Sequence, residues 1–136
     1  MTGGGFVVLD TDVASLSIKR RLPPSLLAQL VENDICITFV TLGELTKWME
    51  MRRWGTKNRG AISDWLDRTL LLPYSRQVAT TWGELQAGAA HRGRTPPQND
   101  TWIAACCLVE GLSLATRNVR DYAGFAEHDG LVLVSE

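Results

Sequence analysis

Long apolar runs are missing from this 136-residue chain. None approaches the ~20 residues a bilayer-spanning helix needs, so no membrane segment is expected. The opening stretch Met1-Thr2-Gly3-Gly4-Gly5 has no basic start and no apolar core, and so is not expected to be a secretory signal. Cysteine is scarce: Cys36, Cys106 and Cys107. An odd count with two adjacent residues argues against a disulfide framework and for the reducing cytoplasm. No CxxC or His-rich spacing points to zinc. His91 and His128 stand isolated, and both are expected to face solvent. No internal repeat, linker or low-complexity tract interrupts the chain.

What is present reads as one domain over residues 1–136, long enough for a real core. Hydrophobic residues make up 45% and charged residues 21%, ordinary values for a globular protein. Short, almost wholly apolar runs predict buried parallel strands at Phe6–Leu9, Ile35–Phe39, Leu70–Leu72, Leu112–Ala115 and Leu131–Val134. Helical stretches lie between them. Pro24 fits the first turn of a helix through Ser25–Glu32. Thr41–Arg53 and Ala61–Arg68 form a pair joined by a polar loop, Trp54–Gly60. Ser75 can cap Arg76–Arg92, with Gly93 as stop, and Asn99–Glu110 ends at Gly111. This alternation predicts an α/β fold with helices on both faces of a parallel sheet.

Four acids fall where such a sheet would place a site. Asp10 closes the first strand. Glu44 follows the second run across Thr41-Leu42-Gly43. Asp100 opens an apolar helical segment, and Asp121 lies just past Leu112–Ala115. Ligands of open parallel sheets bind outside the carboxyl ends of the strands. Carboxylates gathered there repel one another unless a cation joins them, and oxygen-only ligands favour Mg²⁺ or Mn²⁺. Each acid also has a structural alternative. Asp10, Thr11 and Asp12 can cap a following helix. Thr41-Leu42-Gly43-Glu44 matches a capping box. Asp100 can be helix N-terminal charge. Asn118 and Asp121, three apart, share a face of a helical turn.

Four segments in this order and spacing resemble the successive motifs of PIN-domain ribonucleases, above all the VapC-type toxins of bacterial toxin–antitoxin pairs. They are Val8-Leu9-Asp10-Thr11-Asp12, Val40-Thr41-Leu42-Gly43-Glu44-Leu45, Asn99-Asp100-Thr101-Trp102-Ile103-Ala104-Ala105 and Ala115-Thr116-Arg117-Asn118-Val119-Arg120-Asp121-Tyr122. The resemblance spans nearly the whole chain. It implies a three-layer α/β/α fold with a central parallel sheet and Mg²⁺-dependent hydrolysis of RNA phosphodiester bonds. It also implies a cognate antitoxin protein and a homodimer. The family's acidic metal ligands carry over to Asp10, Glu44 and Asp100. Two departures stand out. The first motif more often has Asn at the position of Asp12, so an extra carboxylate borders the pocket. The family's fourth acid often sits at the position of Asn118, so either Asp121 or Asn118 fills that place. Thr116 is expected to hydrogen-bond an acid or a bound water, or to be an ordinary strand-end hydroxyl.

The net charge of -1 conceals a split. Setting aside Asp10, Asp12, Glu44, Asp100 and Asp121 leaves 14 basic residues against ten acidic ones. A basic surface around an acidic pocket suits a polyanion; scattered solvated charge is the other reading. Arg92, Arg94, Arg117 and Arg120 flank the third and fourth motifs and are the expected phosphate contacts. Trp54, beside Arg53 in a polar loop, either stacks on an unpaired base or packs.

Two rivals remain. Asp10-Thr11-Asp12 resembles the first motif of haloacid dehalogenase-like phosphatases. That chemistry needs a later lysine and a paired-acid motif. The last lysine is Lys57, and no adjacent acid pair follows it. A non-catalytic RNA- or protein-binding module with a vestigial acidic site is the alternative to a nuclease.

Overall fold

Val7, Val8 and Leu9 have almost no solvent exposure and alternate between two faces of one strand, as the two-residue period of a pleated strand requires. That strand is the middle of the sheet. In chain order the elements are β1 (Phe6–Leu9), α1 (Thr11–Ile18), α2 (Pro24–Leu30), β2 (Asp34–Thr38), α3 (Phe39–Met51), α4 (Thr56–Asp67), β3 (Leu70–Leu72), α5 (Arg76–His91), α6 (Gln98–Glu110), β4 (Ser113–Ala115), α7 (Val119–Asp129) and β5 (Leu133–Val134). The computed structural model describes residues 5–136. Residues 1–4, within the stretch read above for a secretory signal, lie outside the described residues.

All five strands are parallel, in the order β3-β2-β1-β4-β5. This is the expected α/β/α arrangement. Val8, Cys36 and Leu114 face a core shared with α5, α6 and α7. Val7, Leu9, Ile37 and Ala115 face the other core, closed by α1 to α4. Leu114 is fully buried, which contributes about 1.5–3 kcal/mol for a side chain of that size. The run Ala104-Ala105-Cys106-Cys107 is fully buried too, and its small side chains let α6 lie close against the sheet. Gly111 and Gly130 adopt left-handed φ values of 68° and 84° at the ends of α6 and α7, conformations that glycine takes without a Cβ penalty.

Several boundaries differ from the sequence reading. The second strand stops at Thr38, not Phe39, and α3 begins at Phe39 rather than Thr41. The unbroken apolar run Ile35–Val40 hides that switch; the signal is Thr38, whose hydroxyl accepts from the Thr41 amide at 3.3 Å. The segment Thr41-Leu42-Gly43 therefore lies within the first turns of α3, not at its start. The expected polar loop Trp54–Gly60 shrinks, because α4 starts at Thr56 behind an extended Gly55. Ile62 and Trp65, three apart, bury that helix, while its polar first turn faces water. The last strand is only Leu133–Val134, and Leu131 is buried instead beneath α7. Helices α1 and α7 were legible only as a capped continuation and a helical turn.

Other expectations hold. Ser75 caps α5 by accepting from the Val78 amide at 3.1 Å. Pro24 opens α2. His91 and His128 are exposed. The three cysteines are buried and free, and burial pushes the Cys36 and Cys106 thiols up to about 11. No helix among the described residues is long and apolar enough to cross a membrane.

Candidate active site

The strand order decides where a site can form. After β1 the chain winds to one side through β2 and β3, then crosses to place β4 on the other side of β1. The carboxyl ends of β1 and β4 flank this reversal, where open α/β sheets bind ligands. Asp10 follows β1, and Thr116 follows β4. Their side chains meet: the Thr116 hydroxyl donates to Asp10 Oδ2 at 2.6 Å. Asp10 Oδ1 accepts from the Val13 amide at 2.8 Å, so the same carboxylate caps α1. The capping reading of Asp10 therefore holds, and the same carboxylate stands beside the sheet's reversal point.

Glu44 settles differently. Because α3 starts at Phe39, Thr41 is not its cap, and the capping-box reading of Glu44 fails. Glu44 Oε1 instead accepts from the Thr11 hydroxyl at 2.6 Å, and Thr11 also pairs with the buried Thr41 hydroxyl at 3.0 Å. Helix α1 therefore holds Glu44 toward the end of β1. Asp100 sits in the first turn of α6 and accepts from the Tyr122 hydroxyl at 3.2 Å. Asn118 donates its side-chain amide to Asp121, so the two candidates for the fourth position act as a pair on one turn of α7. Asp12 is exposed on α1.

The electrostatics join these acids. Burial pushes the Asp10 carboxyl up to about 6; Asp12 and Asp100 push the same way, against the bonds from Thr116 and Val13. Asp100 is also raised, first by burial and then by Asp121 and Glu44, with Tyr122 opposing. Asp100 is the common neighbour: its charge is felt at Asp10, and it feels Glu44 and Asp121 in turn. Among the described residues, no three His, Cys, Asp or Glu side chains enclose an ion-sized space as they stand. Each acid rests instead on a hydrogen-bond donor. The donor set nonetheless fits a hard divalent cation: every group is an oxygen, and nearby positive charge would reverse the raised pKa values.

Sequence reasoning missed Thr11 and Tyr122 as site residues. Thr11 was read only as a cap. Tyr122 had a usable signal: an aromatic hydroxyl in an otherwise apolar helix face needs a buried partner. It is 2% exposed and finds Asp100.

Arg92, Arg94 and Arg120 line a groove of about 700 Å³ that also takes in Asp121. Arg92 lies 3.9 Å from Asp129, a partly exposed pair. Arg117 points elsewhere, its Nε donating to Glu136 at 2.7 Å.

An open parallel sheet with carboxylates beside its reversal point is the frame of an α/β protein whose candidate site is built on acids. A family model makes this specific: residues 7–130 match the PIN domain, and the chain belongs to that family. It is similar to ribonuclease VapC2 of Haemophilus influenzae, 32% identical over 85% of this chain and 88% of the relative. It is also similar to the tRNA(fMet)-specific endonuclease VapC of Shigella flexneri, 31% identical over the same shares. Among solved structures it resembles DNA-bound VapBC from Salmonella typhimurium, with TM-score 0.78 and 26% identity over 99% of this chain and 98% of that one. VapBC-1 of nontypeable Haemophilus influenzae, at TM-score 0.79 and 24% identity over 96% and 97%, supports the fold.

One consequence concerns Glu44. Glu44→Gln keeps an acceptor for Thr11 but removes the charge. Cleavage of RNA is expected to fall roughly 100-fold or more, with thermal stability nearly unchanged. Full activity in this variant would remove Glu44 from the site.

Proposed function

We propose that this chain is a metal-dependent endoribonuclease, the toxin of a type II toxin–antitoxin pair, acting in the cytoplasm as one PIN-like domain. The observation that supports the reading is that Asp100 acts electrostatically on Asp10, and Glu44 on Asp100, beside the sheet's reversal point, with Thr116, Thr11 and Tyr122 hydrogen-bonded to the three acids. The VapC relatives support RNA as substrate, and the VapBC complex supports a cognate antitoxin as partner; a second copy is what the resemblance to VapC toxins implies. Asp10, Glu44 and Asp100 are the residues to hold Mg²⁺ or Mn²⁺. Such an ion, when bound, supplies Lewis acidity at the phosphate and makes water a stronger nucleophile.

The protein's own groups do the rest. Thr116 fixes one oxygen of Asp10, and the Val13 amide fixes the other, so this carboxylate cannot rotate away. Thr11 aims Glu44, and Tyr122 aims Asp100. In this reading Asp121, paired with Asn118 and neighbouring Asp100, accepts a proton from the attacking water. The basic groove beside Asp121 holds the strand's phosphates. Incubation of total cellular RNA with the protein tests this: specific cuts should form with Mg²⁺ or Mn²⁺ and vanish in EDTA. No cleavage under any of these conditions would leave the binding module with a vestigial site.

The groove gives a separate expectation. Arg92→Ala with Arg94→Ala should weaken binding to many RNAs alike and reduce the salt dependence by roughly one to two units of log–log slope. Phosphate contacts add affinity with little sequence preference, so the cut position should not move. The measurement is RNA affinity across a salt series in the inactive Asp100→Asn background. An unchanged slope would shift the basic footprint to Arg52, Arg53, Lys57 and Arg59.

A further inference from the structure

A second hollow takes in Glu44, as the basic groove takes in Asp121. It lies between α3 and α6, has a volume of about 360 Å³, and is walled by Phe39, Trp48 and Trp102. Glu44, Lys47 and Asn99 give its lining polar and charged groups. We propose that this hollow receives one unpaired nucleobase of the RNA strand, next to the phosphate being cut. The proposal rests on the nuclease reading above and adds a determinant of base choice to it.

Position is the first argument. Glu44 belongs both to the acidic centre and to the wall of the hollow, so a base held there is within a nucleotide's reach of the reaction. The basic groove takes in Asp121, which neighbours Asp100. A single strand can therefore run from the arginines, across the acids, into the aromatic walls.

Chemistry is the second argument. Unpaired bases are held by stacking on aromatic side chains and by hydrogen bonds to their edges. The hollow supplies both. Trp102 is held in place by a stack on Trp82, with centroids 5.0 Å apart and planes at 17°, and by an edge contact with Phe39 at 5.9 Å. The Trp82 indole N–H donates to the Gln98 carbonyl, anchoring the pair to α6. A wall already rigid costs little entropy on binding. Asn99, beside Asp100 and exposed, offers an amide that both donates and accepts, as reading a base edge requires. Lys47 has no carboxylate partner among the described residues and can meet a flanking phosphate. Trp48 carries the Arg52 guanidinium 5.5 Å from its ring centre, which adds positive charge at the same edge.

The test starts from a cut mapped with the wild-type protein in Mg²⁺. A single-stranded oligoribonucleotide spanning that cut is bound to the Asp100→Asn protein, along with copies carrying an abasic site at each flanking position. One abasic position should weaken binding on the order of tenfold. That penalty should shrink in Trp48→Leu and persist in Trp48→Phe, which keeps an aromatic face. Asn99→Ala should broaden the base preference at the same position among mapped cuts. Equal binding of every abasic copy would overturn the proposal, even if Trp48→Leu fails to fold, because that comparison changes only the RNA. A Trp48→Leu protein that binds RNA normally but loses affinity for a protein inhibitor would assign the hollow to a protein partner and overturn it too. In both cases wild-type cleavage would persist, so the nuclease reading would stand. Absence of wild-type cleavage would remove that reading and the proposal with it.

Discussion

Asp10→Asn and Asp100→Asn are each expected to reduce RNA cleavage by roughly a thousandfold or more, to background, with the fold retained. Asp10 feels the charge of Asp100, and Asp100 feels that of Glu44 and Asp121. Their amide replacements preserve local structure. Asparagine caps helices as well as aspartate, so α1 keeps its Val13 bond. The Thr116 hydroxyl, which also accepts from the Asn118 amide, can reorient to suit either atom of the new side chain. At Asp100 the change removes a first-turn charge worth only a few tenths of a kcal/mol to about 1 kcal/mol to the helix. Single-turnover cleavage with circular dichroism of the same samples makes the check. Cleavage at the wild-type rate by either variant would refute the site.

The second large effect is on stability in the absence of divalent cations. The Asp10 carboxyl is raised from its ordinary 3.8 to about 6 in the folded protein. Between those values the folded state keeps a proton that the unfolded state has lost. Stability from this group is therefore greatest below about pH 4, falls as pH rises to about 6, and is level above. Asp10 is 5% exposed, so solvent screens little, and the fall amounts to about 3 kcal/mol at most. Asp100 shifts in the same direction. In EDTA, Asp10→Asn should show a flatter profile and be more stable than wild type at pH 7. Adding Mg²⁺ should raise the wild-type melting temperature with concentration, by mass action, and leave the variant nearly unmoved. Urea unfolding across pH, taken as the difference between the two proteins, isolates this group from the other carboxylates. Parallel profiles, or an equal response to Mg²⁺, would show that Asp10 is neither strained nor a metal ligand.

Much of the candidate site was legible in the chain. Asp10, Glu44, Asp100 and Asp121 stand out because each follows or opens an apolar run, and an ionised group at the edge of a core needs a reason. What stood between them was not legible. Glu44 matched a capping box on local spacing, and only the true start of α3 at Phe39 removed that reading. Thr11 and Tyr122 carry no local mark of their roles, because their partners lie 33 and 22 residues away. The arginines divided in the same way. Arg92, Arg94 and Arg120 gather in one groove with Asp121, whereas Arg117, amid the same motif, turns to Glu136.

The sequence by itself determined the strands, most of the helices, the parallel sheet and which acids stand at strand ends and helix starts. These follow from local patterns: apolar runs too short to be helices, helix stops at glycine, and charge at strand ends. Only the tertiary structure decided the strand order β3-β2-β1-β4-β5, and with it which strand ends are neighbours. Thr116 reaches Asp10 across 106 residues because β4 crosses to lie beside β1. No local pattern encodes that crossing. It is chosen by how two apolar faces of one sheet can both be covered by helices at once, a property of the packed chain as a whole.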